Sequence, residues 1–195
     1  MILPAKNSSK DSDATLLAAI GTGDRRALEE LYLSYHRRLA RFLLRFTPRY
    51  ENAEEIINDT FMVVWQSAKD FRRASLVSTW IFGIAYRTAL KSVRRQKNHA
   101  AALGLDECPE QAVNPALDTE IQDWLAQGLE KLPLEQRLTL ELAYNMGYSL
   151  EEIAAITDAP VGTVKARMYH ARAKLRHHLP ALGGGGIEAC RSSQL

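Results

Sequence analysis

Residues 148–176 read YSLEEIAAITDAPVGTVKARMYHARAKLR, and this stretch decides the fold. Ser149 with Glu152 three residues on is a capping box. It opens a short helix, Leu150 to Ile156, with Leu150, Ile153 and Ala154 on the buried side. Thr157-Asp158-Ala159-Pro160 breaks that helix after about two turns, and Asp158 tolerates a left-handed turn better than most residues other than glycine. Pro160 leads a second helix with Val161, Val164, Met168, Ala171, Leu175 and Leu179 on one face. The opposite face carries Thr163, Lys165, Arg167, Tyr169, His170, Arg172 and Arg176. Two helices joined by a tight turn, the second apolar behind and cationic in front, form a helix-turn-helix that fits the DNA major groove. The first two turns of the second helix then reach base edges, and the amides around Gly162 and Thr163 are expected to meet a phosphate. If Arg167 reads a base, its loss costs about 1–3 kcal/mol at one position of the site.

Outward from this motif, apolar spacing is helical along most of the chain. Leu28, Leu31, Tyr32, Tyr35, Leu39, Phe42, Leu43 and Phe46 mark one helix face, stopped at Thr47-Pro48 because a residue before proline leaves the α region. Ala53 to Ala68 mark the next helix, with Asn52 as its expected N-cap. Val77, Trp80, Ile81, Ile84, Ala85 and Thr88 mark another, and a shorter helix runs from about Ala14 to Ile20. Helical spacing resumes with Ile121, Trp124, Leu125, Leu129 and Leu132. Pro133 then opens a helix ended by Gly147. No strand of convincing alternation is present. The expected fold class is all-α, two small helical domains joined by a flexible linker. Residues 1–11 are expected to be disordered, 12–97 to form the first domain, 98–117 an acidic linker, 118–182 the second domain and 183–195 a flexible tail.

The 195 residues hold 25 Lys+Arg and 23 Asp+Glu, a net charge of +2 that by itself argues against nucleic acid. The charges are segregated. Between Asp70 and Asp106 there is no acid, and the gap holds Arg72, Arg73, Arg87, Lys91, Arg94, Arg95 and Lys97. Residues 161–178 are likewise acid-free. Acids gather at Glu51, Glu54, Glu55 and Asp59, and again in the linker. Two basic stretches separated by an acidic one point to two contacts with a polyanion.

The stretch 132–176 resembles region 4 of bacterial extracytoplasmic-function (ECF) sigma factors. NAEEIINDTFMVVWQSAKDF, residues 52–71, is similar to their regions 2.1–2.2, and STWIFGIAYRTALKSVRR, residues 78–95, to their regions 2.3–2.4. The resemblance spans about residues 14–180. It implies a dissociable specificity subunit of RNA polymerase that recognises a −35/−10 promoter and opens DNA, with stress-response genes as the expected targets. Glu55, Ile57, Asn58, Asp59, Phe61 and Trp65 would dock on the β′ clamp helices, and region 4 on the β flap. An acidic helix face suits a basic partner. Arg72, Arg73, Arg87, Lys91, Arg94 and Arg95 would hold the phosphates of the melted −10 strand. Tyr86 would stack a base in preference to Trp80, which lies on the apolar stripe. Gly162, Thr163, Lys165, Ala166, Arg167, Tyr169, His170, Arg172 and Arg176 would meet the −35 element. Arg87, Lys91, Asp158, Ala166 and His170 depart from common family residues, so no promoter sequence can be borrowed. An anti-sigma factor is the further partner the family implies.

Other classes fit less well. No phosphate loop, nucleophile motif or metal-spaced His/Cys set is present, so the expectation is a non-enzyme without metal or cofactor. Cys108 and Cys190 make no disulfide framework, and the N-terminal residues lack a signal-peptide core. A cytoplasmic protein with no membrane insertion is therefore expected. A helix-turn-helix repressor or activator is the rival reading, and it leaves the basic stretch at 71–97 unexplained.

Overall fold

The computed structural model describes residues 8–45, 47, 49–102 and 127–182. Among these every regular element is helical. By their contacts, Met1–Ala112 with Ala154–Ala159 form one unit, and Val113–Ile153 with Pro160–Leu195 form another.

In the first unit α1 spans Ser8–Gly21, α2 Arg25–Leu43, α3 Tyr50–Ser67 and α4 Val77–Ala102, with a 3-10 turn at Ala68–Asp70. Gly23, at φ +94, turns the chain. Asp24 then caps α2, its Oδ1 accepting from the Arg26 and Ala27 amides at 2.8 and 3.3 Å. Such a cap contributes about 1 kcal/mol. The apolar stripe of α2 is buried at Leu31, Tyr35, Leu39 and Phe42, together with Ile56, Ile57 and Val64 of α3 and Ile81, Phe82 and Ala85 of α4. Phe42 and Phe82 meet edge to face, centroids 5.5 Å apart. Full burial of each such side chain contributes about 1.5–3 kcal/mol, so this core sets the positions of both candidate faces on α3 and α4.

Three boundaries differ from expectation. Helix α1 begins at Ser8, inside the segment expected to be disordered, and Tyr35 of α2 holds it by donating to Asp13 Oδ2 at 2.5 Å. Helix α3 begins before Asn52: the Ala53 amide donates to the Arg49 carbonyl at 3.3 Å, and Arg49 takes the cap position, its side chain making no capping hydrogen bond to the helix start. Helix α4 runs to Ala102, past the linker boundary at 97. The rest of that linker, residues 118–126 and the 183–195 tail lie outside the described residues.

The second unit contains α5 at Leu134–Leu140, which continues as a π-helical turn over Glu141–Asn145. The Met146 amide reaches back to the Glu141 carbonyl at 3.1 Å, and Gly147, at φ +70, reverses the chain. Helix α6 is Leu150–Thr157, its first four residues in this unit and the rest assigned to the first, and α7 is Val161–Leu182. Leu132, Leu140 and Ala171 form a core with Leu129 and Leu175 packed against it, so α7 presents its apolar side to α5. Arg137 of α5 is largely buried, and that burial pulls its guanidinium below the usual arginine range against the opposing pull of Glu130 and Glu141.

Candidate nucleic-acid interface

The expected capping box forms. Ser149 N donates to Glu152 Oε2 at 2.8 Å and Glu152 N to Ser149 Oγ at 3.2 Å, fixing the start of α6. Asp158 takes the left-handed turn at φ 51. Pro160 then receives the Thr163 and Val164 amides on its carbonyl at 2.8 and 3.1 Å. This corrects the expectation for Thr163: its amide is spent inside the first turn of α7, so a phosphate there would meet other groups.

Val164, Met168 and Ala171 turn inward on α7. Gly162, Thr163, Lys165, Ala166, Tyr169, His170, Arg172 and Arg176 are exposed, Tyr169 at 66%. The Tyr169 and His170 rings lie 5.5 Å apart, edge to face, and Arg172 Nε donates to the Met168 carbonyl at 3.3 Å. Arg167 behaves differently. Its guanidinium pairs with Glu135 of α5, its side chain keeps 20% of its exposure, and its Nη1 is buried without a partner. Arg167 therefore ties α7 to α5, and its guanidinium is turned inward, unlike the exposed cations of the same helix. Helical spacing alone put it among the readers because one cation on a wheel looks like another.

In the first unit, the loop between the 3-10 turn and α4 exposes Arg72 and Arg73, the latter at φ 55. On α4 itself Arg87, Lys91, Arg94 and Arg95 are exposed. Tyr86 is only 3% exposed and has no open face for a base, because α4 is buried on every side from Ile81 to Tyr86. Trp80, assigned to the core by its stripe position, is instead half-buried against Phe71, ring centroids 5.2 Å apart. An open recess of about 320 Å³ adjoins this loop, lined by Leu17, Gly21, Lys69, Phe71 and Arg73 among others.

The acidic face of α3 is also partly reassigned. Glu55, Asn58 and Asp59 are exposed and Trp65 is half-buried, but Ile57 and Phe61 are core at 0% and 4% exposure. Phe61 packs edge to face on Tyr32 at 4.9 Å. Met62 and Val63 are the apolar residues this face presents, at 58% and 37%. The spacing held that signal: once Ile57 and Phe61 point inward one turn apart, 58, 59, 62 and 63 face outward. Burial and then the charge of Glu54 raise the Tyr32 hydroxyl pKa, and a hydrogen bond from Tyr50 to Glu54 raises that of Tyr50. Glu54 Oε1 also lies 2.8 Å from His36 Nε2, which locks α2 to α3. Arg95 Nη2 donates to Glu55 Oε1 at 3.1 Å, joining the basic end of α4 to the acidic face of α3. Among the described residues no group of His, Cys, Asp and Glu is arranged to hold a metal, and no helix is long and apolar enough to cross a membrane.

Residues 31–99 match the family model for Sigma-70 region 2, and residues 122–175 that for Sigma-70, region 4. The chain is 35% identical over 175 residues to the ECF RNA polymerase sigma factor SigM of Mycobacterium tuberculosis, covering 89% of this chain and 88% of that one. This chain belongs to the ECF sigma-70 family. It is thus an RNA polymerase sigma factor, and a repressor acting without polymerase is not favoured. The RNA polymerase sigma-H factor of Pseudomonas aeruginosa is 28% identical, with 84% of this chain and 92% of that one covered. Two solved structures share the fold at 25% identity. CnrH in complex with the cytosolic domain of CnrY covers 88% of this sigma factor and 99% of that chain at a TM-score of 0.65. The sigma factor RpoE in complex with the anti-sigma factor NepR from Bartonella quintana covers 76% and 94% at 0.66.

Proposed function

We propose that this sigma factor docks on core RNA polymerase through the outer face of α3, reads a −35 element with α7 and captures a melted −10 strand with α4 and the loop before it. The observation that carries the reading is the separation of charge by surface. Glu55, Asn58 and Asp59 surround exposed Met62 on one helix, a polar rim about an apolar contact. Lys165, Tyr169, His170, Arg172 and Arg176 share the outer side of another, where groove and backbone contacts are made. Strand capture needs cations for phosphates and a place for an unstacked base. Arg72, Arg73, Arg87, Lys91 and Arg94 supply the first, while the Phe71–Trp80 pair and its neighbouring recess supply the second. The protein acts by binding, in the cytoplasm, and its further partner is an anti-sigma factor, a reading supported by the similar sigma factor RpoE, whose structure is in complex with the anti-sigma factor NepR.

Run-off transcription with core polymerase, with and without this protein, tests the proposal. A protein-dependent start is expected, and its absence on a panel of −35/−10 promoters from the source genome would overturn it. Asp59→Lys should abolish core binding and leave the melting temperature unchanged. Loss of both would mean that Asp59 supports the fold and not the docking face.

A further inference from the structure

Between Glu30 and Glu51 the chain holds five arginines, no lysine and no acid. None of them belongs to the surfaces assigned above. Arg37, Arg38 and Arg41 occupy the C-terminal half of α2, where 3.6 residues per turn places them within about 100° of arc. All three are exposed, and Arg45 lies exposed just beyond the helix. Among the described residues no carboxylate lies within ion-pair distance of Arg37, Arg38 or Arg41. The Arg38 guanidinium rests over the rings of Tyr35 and Phe82, 5.4 and 5.5 Å from their centroids. Stacking of this kind holds the planar group in place while its N–H donors stay available at its edge.

We infer that this arginine stripe on α2 is a further nucleic-acid contact of the sigma factor, gripping the phosphate backbone of promoter DNA without reading bases. The inference rests on the proposed function. Three features select phosphate over a protein partner. The stripe is built from arginine alone, whose fork matches a phosphate in bidentate fashion. It lacks an apolar centre: Leu33, the one large exposed apolar residue of α2 among the described residues, sits at its edge one turn before Arg37, whereas protein interfaces concentrate apolar groups at the core. Its sign is also opposite to that of the α3 face, so a basic polymerase surface that suits Glu55 and Asp59 does not suit Arg37 and Arg41. Successive turns bring a cation every 5–6 Å or so along the helix, a spacing that follows a phosphate chain.

The test is the salt dependence of holoenzyme binding to a promoter fragment and to an unrelated duplex of equal length. Arg37→Gln with Arg41→Gln is the variant of choice, because neither residue rests on the Tyr35 or Phe82 ring. Each phosphate contact contributes about 0.9 to the slope of log K against log salt on duplex DNA, so the slope should fall by about two on both fragments. Holoenzyme assembly should be unchanged, and Arg37→Lys with Arg41→Lys should restore the slope. An unchanged slope would overturn the inference. So would a loss of core-polymerase affinity, which would make an acidic protein surface the occupant, or a loss confined to the promoter fragment, which would mean base reading. If the wild-type holoenzyme started no promoter-dependent transcript, the proposed function would fail. The slope on unrelated duplex would still decide this surface.

Discussion

Replacing Arg167 with alanine separates two roles that a helical wheel cannot tell apart. The Arg167 and Glu135 side chains keep 20% and 43% of their exposure, and Arg167 Nη1 is buried without a partner. Exposed ion pairs contribute about 0.2–1 kcal/mol, and breaking buried ones costs about 3–5 kcal/mol. A half-buried, charge-assisted contact between these limits contributes about 2 kcal/mol. For a domain of this size each kcal/mol shifts the melting temperature by about 4–8 °C. Arg167→Ala should therefore lower the transition of the second unit by about 8–16 °C in a calorimetric scan of the full chain. Glu135→Ala should do nearly the same, and the double variant should fall well short of the sum, because both singles remove one contact. Below the transition, holoenzyme affinity for the −35 element should stay within about twofold, which is about 0.4 kcal/mol. A melting temperature that does not move, together with a loss of about 1–3 kcal/mol at one promoter position, would refute the reasoning and return Arg167 to the reading face.

Four further outcomes follow from the geometry. Ser149→Ala removes one arm of the capping box and should cost about 1 kcal/mol, read as a lower urea midpoint with an unchanged slope. Asp158→Gly relieves the left-handed conformation at φ 51 and, after the added chain entropy of glycine, should stabilise by about 0.5 kcal/mol in the same assay. Met62→Asp, at a 58% exposed position, should leave stability within about 0.5 kcal/mol and weaken core polymerase binding by about tenfold or more in a competition assay. Burial and Glu54 raise the Tyr32 pKa above 10.0. The stability this contributes is fully present below that pH and is lost as pH rises through the folded value, so Tyr32→Phe should flatten the fall in melting temperature above pH 10.

The sequence made the helix-turn-helix legible almost atom by atom because its signals are local. Ser149 and Glu152 lie one turn apart, Asp158 answers a single backbone torsion, and Pro160 marks the next start. Apolar spacing was equally informative about α2, whose stripe from Leu31 to Phe42 is buried as expected. What spacing could not supply was the number of neighbours around a helix. Helix α4 has no solvent side between Ile81 and Tyr86, so a tyrosine off the main stripe is still core. On α3, Phe61 was read as a docking residue, yet its ring meets Tyr32 of α2, a partner 29 positions away in the chain. Helix α1 starts earlier than its apolar residues suggest because Tyr35 of α2 anchors Asp13, again a long-range contact.

Charge shows the same limit from another side. Arg95 and Arg167 read identically to Arg94 and Arg172, as cations in acid-free stretches. Yet each of the first two meets a glutamate from a distant segment, Glu55 and Glu135 respectively. The Arg95–Glu55 pair is exposed on both sides, 68% and 53%, so water screens it and a phosphate can replace the carboxylate at a cost of about 0–1 kcal/mol. The Arg167–Glu135 pair is partly desolvated, and breaking it leaves a guanidinium without compensation. One arginine is thus exchangeable between protein and DNA and the other is committed to the fold. The difference lies in burial, a quantity set by which helices lie opposite and absent from any count of 25 cations.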